Sequence, residues 1–354
     1  MRAVRIHGRE DVRLEEIERP EPESGEVLIE VTGAGICGTD AAFYRHGIDL
    51  VPPSQEARWP IVLGHEFSGR VAAVGEGVEA LAVDELVASG AGVSCGECPR
   101  CREGHTNLCR RYWTAGVHRD GGLAEFVAVP AATCEPTAPH GVSGDAIGLA
   151  QPMAIAVHAV ARGNPEAGQR ALIVGAGGIG AFATWAAVQG GLEVTVCDRD
   201  ADRLGIAAEL GAARTALADD RPLEQLLADA GEFDLVYEMT GAADPLLAAL
   251  RLVRPAGRVV AVGVQAKPPT LDLVALTARE IELVGTMAHV RAADLPRALD
   301  LLAARPEGWA DVAPRVLSLD DVAAAALPAM AAGESAQIKS LVDPRLVESR
   351  AYRV

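Results

Sequence analysis

This sequence has no excess of basic residues. It contains 32 Lys and Arg residues against 49 Asp and Glu residues, which gives a formal net charge of -17 at pH 7. A surface with that charge repels nucleic-acid phosphates and anionic lipid headgroups. The composition therefore argues against nucleic acid or a membrane surface as a partner.

The sequence also lacks the apolar core of a secretory signal peptide after Met1, and this favours a cytoplasmic, thiol-reducing compartment. Its one long uncharged stretch, residues 171–192, matches a membrane span on length alone. However, that stretch contains a glycine cluster and the polar Gln189, which predict a strand, a tight turn and a helix. No linker or low-complexity segment is evident, and 354 residues suffice for two domains.

Seven cysteines are present, and four of them have the spacing Cys-x2-Cys-x2-Cys-x7-Cys. Thiolates at this spacing can converge on one tetrahedral Zn²⁺, and four thiolates make a closed, structural site. A disulfide framework, a thioredoxin-like CxxC motif and a nucleic-acid zinc ribbon are the alternatives. Each fits less well, because there is no signal peptide, the CxxC is repeated and the charge is acidic. The four predicted ligands are Cys95, Cys98, Cys101 and Cys109.

A glycine-rich turn between a predicted strand and a predicted helix indicates a dinucleotide site. An apolar Ala-Leu-Ile-Val segment precedes the turn, and an apolar helical pattern follows it through Val188. Glycines in such a turn permit the tight bend, the approach of backbone amides to a pyrophosphate, and close packing of helix on strand. The predicted cofactor contacts in the turn are Gly175, Gly177, Gly178, Ile179 and Gly180.

Asp198 supports this interpretation, because it ends the next predicted strand, residues 192–197. A carboxylate there accepts hydrogen bonds from the adenosine ribose and repels a 2′-phosphate. We therefore predict NAD as the cofactor and Arg203 as a further contact. Arg199 and Arg203 also leave NADP as the alternative, and an ordinary turn residue is the simpler interpretation of Asp198.

Two further predicted strands, residues 233–237 and 257–263, extend the pattern to a doubly wound α/β sheet. Ligands of such sheets bind at the carboxyl ends of the strands, so Thr240, Gly241 and Gly263 are candidate contacts on the nicotinamide side. For any one of them, a turn after a buried strand is an equally good interpretation.

Two short segments offer the chemistry of a catalytic metal site. Cys37 lies in the segment Gly-Ile-Cys-Gly-Thr-Asp, and His65 and Glu66 end the segment Leu-Gly-His-Glu. A zinc ion held by three protein ligands keeps a fourth position open, and it lowers the pKa of a bound water from ~16 to ~7. On spacing alone, a structural Cys or His is the commoner case.

Together these motifs resemble the zinc-containing medium-chain dehydrogenase family, in particular its sorbitol, butanediol and threonine dehydrogenase branch. Cys-Gly-Thr-Asp at 37–40, Gly-His-Glu at 64–66, the four cysteines, Asp-Gly-Gly at 120–122 and the glycine turn follow the family's order over nearly the whole chain. The resemblance implies that Cys37, His65 and Glu66 bind a catalytic zinc, and that Thr39 passes the substrate proton outward. It also implies two zinc ions per chain, one catalytic and one structural.

Two positions depart from the family pattern, and a third resembles it. Much of the branch has Glu where this chain has Gln151, and a neutral amide is either a weak fourth zinc ligand or only a partner of a bound water. Many relatives have a relay histidine where this chain has Ala42, with Tyr44 or His46 as candidate replacements. Lys339 resembles a family position near the cofactor phosphates, although a surface lysine is the simpler interpretation.

The resemblance implies an α/β protein with a GroES-like β-rich catalytic domain at 1–150, which carries the zinc lobe at about 92–112. A doubly wound Rossmann NAD-binding domain follows at 151–288, and residues 289–354 return to the first domain. The implied protein is a dimer or tetramer that transfers hydride between NAD and a secondary alcohol, diol or polyol, or its ketone. The alternatives are an inactive binding or structural homologue and an NADP-preferring sugar or cyclic-alcohol dehydrogenase. We expect residues 45–59 to help form the wall of the substrate pocket.

Overall fold

The computed structural model describes residues 1–47, 59–265, 267–335 and 337–354. Most of the expected pocket segment at 45–59 therefore lies outside the described residues. The chain divides into two compact units. The first unit comprises Met1–Ala154 and Val290–Val354, and the second comprises Ile155–His289. These divisions lie near the predicted domain boundaries, which themselves stay a prediction.

The strands are numbered along the chain, and their bounds are as follows. They are β1 (Arg2–Gly8), β2 (Asp11–Glu16), β3 (Glu26–Ile36), β4 (Ile61–Val62), β5 (Glu66–Val74), β6 (Leu86–Ser89), β7 (Gly92–Val93), β8 (Trp113–Thr114), β9 (Phe126–Pro130), β10 (Cys134–Pro136), β11 (Arg170–Val174), β12 (Glu193–Asp198), β13 (Arg214–Leu217), β14 (Phe233–Glu238), β15 (Val253–Ala261), β16 (Glu282–Gly285), β17 (Arg315–Leu317), β18 (Ser340–Val342) and β19 (Arg350–Ala351).

The helices are numbered in the same way. They are α1 (Gly38–His46), α2 (Pro99–Arg102), α3 (Ala150–Arg162), α4 (Gly178–Gln189), α5 (Ala201–Glu209), α6 (Leu223–Leu226), α7 (Ala243–Leu252), α8 (Leu273–Ala278), α9 (Arg291–Ala303), α10 (Leu319–Asp321) and α11 (Leu327–Ala332). Short 3-10 segments lie at Thr106–Leu108, Ala131–Thr133, Ala138–His140 and Gly144–Leu149, and a π-helical segment lies at Val322–Ala326.

The first unit is built mainly of antiparallel strands. Its largest sheet has the order β10-β6-β5-β3-β18-β17-β19, with β9 paired to β3 as an eighth strand. β2, β1 and β4 form a second sheet, and β7 and β8 form a two-stranded ribbon. Buried side chains from β3 and β5, among them Ile29 and Phe67, contribute to the core of the first unit. β18, near the C-terminus, pairs antiparallel with β3 of this sheet.

The second unit contains a parallel six-stranded sheet with the order β13-β12-β11-β14-β15-β16. The strand order reverses between β11 and β14, which is the arrangement of a doubly wound sheet and confirms the predicted Rossmann fold. The four residues after Arg170 in β11 are all buried, as expected for a strand covered on both faces. Residues 171–192 form β11, a turn and α4, and among the described residues no helix is both long and apolar enough to cross a membrane.

Candidate functional site

The candidate catalytic residues converge because three neighbouring strands meet at one corner of the large sheet. Cys37 directly follows β3, and His65 directly precedes β5, which runs antiparallel to β3 with Glu66 opposite Gly35. β18 pairs with the other edge of β3, so Lys339 lies at the same corner. The donor atoms of Cys37, His65 and Glu66 all lie within 4.8 Å of one another.

Gly35 leaves the space that this arrangement needs. A Cβ at residue 35 would lie 2.0 Å from Oε2 of Glu66 and 3.2 Å from Cε of Lys339. Any side chain there would displace both charged groups, so the central strand must carry glycine where Glu66 and Lys339 meet.

The turn from β3 into α1 fixes Cys37. Cys37 is the N-cap of α1, and Oδ2 of Asp40 accepts a hydrogen bond of 2.8 Å from its backbone N–H. Asp40 is fully buried, and its Oδ1 lies 3.7 Å from Nδ1 of His65. One carboxylate therefore holds the backbone of Cys37 and faces the ring of His65. The hydroxyl of Thr39 lies 3.8 Å from Sγ of Cys37, and Thr39 is exposed.

Lys339 holds Glu66 from the opposite side. Its Nζ donates to Oε1 of Glu66 at 2.6 Å and to the backbone oxygen of Ile36 at 3.0 Å. Burial opposes the charge on Lys339, but Glu66 and Cys37 outweigh it, and the pKa of Lys339 is raised. The interpretation of Lys339 as a surface lysine is therefore wrong, because this buried ammonium group is paired with a buried carboxylate.

This donor set fits a zinc ion. A thiolate, an imidazole and a carboxylate are all zinc ligands, and three of them leave a fourth position open. Burial opposes protonation of His65, but Cys37 and Asp40 outweigh it and raise its pKa well above the usual value. Nδ1 of His65 and Oδ1 of Asp40 are buried without hydrogen-bond partners among the described residues. A dication on the other ring nitrogen would replace the extra proton and leave Nδ1–H to face Asp40.

The four cysteines form a second ligand cluster in the first unit. The four Sγ atoms lie within 4.8 Å of one another. Cys98 lies 3.5 Å from Cys101 and 4.0 Å from Cys109, and Cys95 lies 4.0 Å from Cys101, in each case between Sγ atoms. Four thiolates at about 2.3 Å from a tetrahedral zinc would be separated by about 3.8 Å. The cluster therefore has the dimensions of a structural zinc site.

The backbone around the four cysteines holds the lobe together. β7 and β8 pair across its base, with Gly92 opposite Thr114. The backbone N–H groups of Cys95 and Arg111 each donate to Sγ of Cys109 at 3.3 Å. Such N–H donors stabilise thiolate charge, which a site of four thiolates concentrates.

In the second unit, the predicted glycine turn joins β11 to α4. Gly177 is the N-cap of α4, and Gly178, Ile179 and Gly180 form its first turn, with no side-chain cap among the described residues. The first-turn N–H groups of a helix form a ready site for an anion. A Cβ at Gly180 would lie 1.9 Å from the carbonyl oxygen of Gly175. The helix can therefore pack against the turn only because residue 180 is glycine.

Asp198 ends β12, the strand next to β11. Its carboxylate accepts hydrogen bonds from the N–H of Ala176 at 2.5 Å and from the N–H of Asp200 at 2.9 Å. These bonds fix the carboxylate beside the glycine turn. Arg203 lies 3.5 Å from Asp200 in an ion pair, whereas Arg199 is exposed and has no ion-pair partner in the described part of the chain.

A cavity of about 980 Å³ lies at the carboxyl ends of these strands. Of the predicted cofactor contacts, Gly175, Asp198, Arg203 and Thr240 line it. The remaining predicted contacts lie outside its lining as far as the described residues show. These are Gly177, Gly178, Ile179, Gly180, Gly241 and Gly263.

Comparison with known proteins decides the family. Residues 23–139 match the family described as "Alcohol dehydrogenase GroES-like domain", and residues 178–304 match "Zinc-binding dehydrogenase". The chain is 33% identical over 305 residues to a 2-dehydro-3-deoxy-L-galactonate 5-dehydrogenase of Pseudoalteromonas atlantica, covering 85% of this chain and 86% of that protein. The chain belongs to the zinc-containing medium-chain dehydrogenase/reductase family.

Two solved structures share the fold of this medium-chain dehydrogenase. The alcohol dehydrogenase RspB from E. coli CFT073, in complex with NADH, has a TM-score of 0.86 and 30% identity, covering 97% of this chain and 99% of that one. A protein described as a zinc-binding dehydrogenase from Sinorhizobium meliloti 1021, bound to NADP, has a TM-score of 0.83 and 29% identity with the same coverage. Both structures contain a nicotinamide cofactor, but only the NADP of the second structure carries a 2′-phosphate.

The positions expected to differ from other medium-chain dehydrogenases lie as follows. Gln151 is buried in the first turn of α3. Tyr44 packs partly buried against the core, and His46 is exposed. Within the described residues, neither Tyr44 nor His46 forms a hydrogen bond with Thr39. Neither side chain therefore replaces the relay histidine that many relatives have at position 42, where this chain has alanine.

The sequence reasoning overlooked two buried carboxylates. Asp40 stands three residues after Cys37, which is the spacing of a capping box, so a local signal was present. Glu238 ends β14, and it is fully buried although the strand pattern gives no sign of a role.

Proposed function

We propose that this protein is a zinc-dependent oxidoreductase that transfers a hydride between NAD and a secondary alcohol, diol or polyol, or the corresponding ketone. The observation that carries the proposal is the convergence of the donor atoms of Cys37, His65 and Glu66 within 4.8 Å. Zinc bound there would act as a Lewis acid toward the substrate oxygen, and NAD would accept the hydride.

The residues around the donor set have separate tasks in this proposal. Asp40 orients His65 and holds the backbone of Cys37, while Lys339 holds Glu66 and balances its charge. The hydroxyl of Thr39 accepts a proton from the substrate alcohol while it releases its own proton. Because Thr39 is exposed, that proton passes directly to water without a histidine at position 42.

Asp198 supports NAD as the preferred cofactor. Two backbone N–H groups fix its carboxylate beside the glycine turn, where it would accept a ribose hydroxyl and repel a 2′-phosphate. The second candidate is an NADP-preferring sugar or cyclic-alcohol dehydrogenase, which the exposed guanidinium of Arg199 favours, since it has no ion-pair partner among the described residues.

The test is a substrate panel of diols, sugar alcohols, hydroxy acids and cyclic alcohols, followed by NADH or NADPH absorbance. We expect oxidation of at least one secondary alcohol and a kcat/KM for NAD about tenfold or more above that for NADP, because a fixed carboxylate and a 2′-phosphate repel each other. Higher kcat/KM with NADP would contradict the NAD assignment. Binding of NADH without turnover of any alcohol would favour the inactive homologue.

We also propose that the protein is a homo-oligomer. β16 is an edge strand of the parallel sheet, and it pairs with β15 alone among the described strands. Large apolar side chains that precede or follow it in the sequence are exposed, including Leu273, Val274 and Met287. A second copy of the chain could cover this edge. Sedimentation equilibrium of the purified protein should give the mass of a dimer or tetramer, and a monomer at all concentrations would contradict it.

A cytoplasmic location is part of the same proposal. All seven cysteines are free thiols, and zinc-binding thiolates need a compartment that keeps them reduced.

A further inference from the structure

Glu238 is a buried carboxylate that the proposed hydride transfer does not use. It is 0% exposed at the end of β14, and no cation pairs with it in the described residues. Its Oε1 accepts hydrogen bonds from the N–H of Thr240 at 2.6 Å and from the N–H of Gly241 at 3.1 Å, and the hydroxyl of Thr240 also contacts it. Its Oε2 accepts a hydrogen bond from Nε2 of Gln265 at 3.0 Å.

Glu238 also connects the loop after β14 to the loop after β15. Its backbone oxygen accepts hydrogen bonds from the N–H groups of Val262 and Gly263, both at 2.9 Å. A Cβ at Gly263 would lie 2.0 Å from the backbone nitrogen of Gly241, so the two loops touch through their backbones. The carboxylate therefore lies among the residues predicted to face the nicotinamide, Thr240 and Gly263.

The charge of this carboxylate has no counterpart in the described residues. Burial raises the pKa of Glu238 above its usual value, and hydrogen bonds from Thr240, Gly241 and Gln265, which favour the ionised form, offset part of this rise. Burying a charge without a partner costs free energy, and buried ionisable groups of this kind are concentrated at functional sites. The oxidised nicotinamide ring carries a positive charge, and the reduced ring is neutral.

We propose that Glu238 is a positioning residue that selects the oxidation state of the cofactor, because its unpaired negative charge favours the cationic oxidised nicotinamide over the neutral reduced one. The inference rests on the proposed function, since it requires a nicotinamide beside Thr240 and Gly263. A carboxylate that only held the two loops in shape would affect both forms of the cofactor equally.

The experiment compares dissociation constants for NAD and NADH, measured by calorimetry on the zinc-loaded protein without alcohol. Glu238→Gln removes the charge and keeps the side-chain shape. Gln265→Lys instead places a cation beside Oε2 of Glu238 and so offsets the charge of the carboxylate. Residue 265 is partly exposed. Gln265→Met is the matched control, because it removes the same hydrogen bond without adding charge.

We expect Glu238→Gln and Gln265→Lys each to weaken NAD binding by about fivefold or more relative to NADH binding, as loss of one buried charge interaction would. Gln265→Met should keep the ratio of the two constants within about twofold of the wild-type ratio. An equal loss for NAD and NADH in the charge variants would overturn the inference while leaving the proposed function intact. If Glu238→Gln does not fold, the comparison of Gln265→Lys with Gln265→Met decides alone. Wild-type protein that binds neither cofactor would overturn both proposals.

Discussion

The two ligand clusters of the first unit are built in opposite ways. The four-cysteine cluster takes all its donors from one loop, residues 95–109, and offers four equal thiolates. The Cys37 cluster takes three unlike donors from the ends of two strands, and Asp40 and Lys339 hold those donors in place. A zinc ion in the first cluster would be fully coordinated, whereas one in the second would keep a position for substrate.

The two clusters also differ in what stabilises their folded shape. Between β7 and β8, only Asn107 and Cys109 are buried among the described residues, so we expect the shape of the lobe to depend on a bound metal. The Cys37 cluster lies against the core of the large sheet, where Ile36 and Phe67 are almost completely buried. We therefore expect the sheet to hold the Cys37 cluster in place without zinc, and we expect changes in the two clusters to have separable effects.

The largest expected effect is on turnover in Cys37→Ser. Loss of the thiolate should lower kcat for alcohol oxidation by about 1000-fold, because a catalytic metal contributes several kcal/mol to the barrier. The thermal midpoint should stay close to that of the wild type. Absorbance of NADH and circular dichroism measure the two quantities.

The control for this experiment is Cys134→Ala. Cys134 is buried outside both clusters, and burial raises the pKa of its thiol to about 12, so it is inert. That variant should turn over at a near-normal rate. Near-normal turnover in Cys37→Ser as well would remove the catalytic role of the cluster.

Cys98→Ser should show the reverse pattern. The lobe should lose its metal, and the thermal midpoint should fall by about 10 °C, because metal binding there is coupled to folding. Metal analysis should give close to two zinc ions per chain for wild type and close to one for this variant. Freshly prepared Cys98→Ser should keep kcat within about threefold of wild type, because the lobe contains no reacting group. An unchanged midpoint together with a full zinc content would contradict the structural role.

Lys339→Met tests the support of the Cys37 cluster. The variant leaves Glu66 buried without its ammonium partner, which should lower the free energy of unfolding by about 3 kcal/mol in the absence of zinc. Zinc would neutralise the same carboxylate, so the loss should shrink to about 1 kcal/mol in the zinc-loaded protein. Urea unfolding with and without a chelator gives both values.

Lys267 provides a matched control for that variant, because it is the only other lysine in the chain and is exposed. Lys267→Met should change the free energy of unfolding by less than about 0.5 kcal/mol. A loss in Lys339→Met that did not depend on zinc would mean that Lys339 supports the sheet and not the metal ligands.

The two clusters also show how far local sequence can reach. The four cysteines could be predicted as a site because their spacing alone brings them together. The glycine turn was equally local, and it correctly predicted β11 and α4. The convergence of Cys37, His65 and Glu66 needed a family resemblance, because it depends on the register between β3 and β5.

The contact between Lys339 and Glu66 was beyond prediction from sequence. These residues are 273 positions apart, and the pairing of β18 with β3 brings them together. β15 shows the same limit on a smaller scale. It begins at Val253, before the predicted start at residue 257, because Val253 pairs with Phe233 ahead of a shift in register. Pro255 lies in that irregular part, where a regular strand pattern would exclude proline.

Gln151→Ala should have the smallest effect of the series. A neutral amide is a poor zinc ligand beside a thiolate, an imidazole and a carboxylate, so we expect Gln151 to contact only a water molecule. The variant should keep its full zinc content, and kcat/KM should fall by less than about tenfold, as for loss of one water-mediated contact.

Gln151→Glu restores the residue of many relatives and should bind zinc more tightly through its added charge. Loss of one zinc ion from Gln151→Ala would instead make Gln151 a fourth ligand. The Cys37 cluster would then resemble the closed four-cysteine cluster in the number of its donors, and substrate would have to displace the amide to reach the metal.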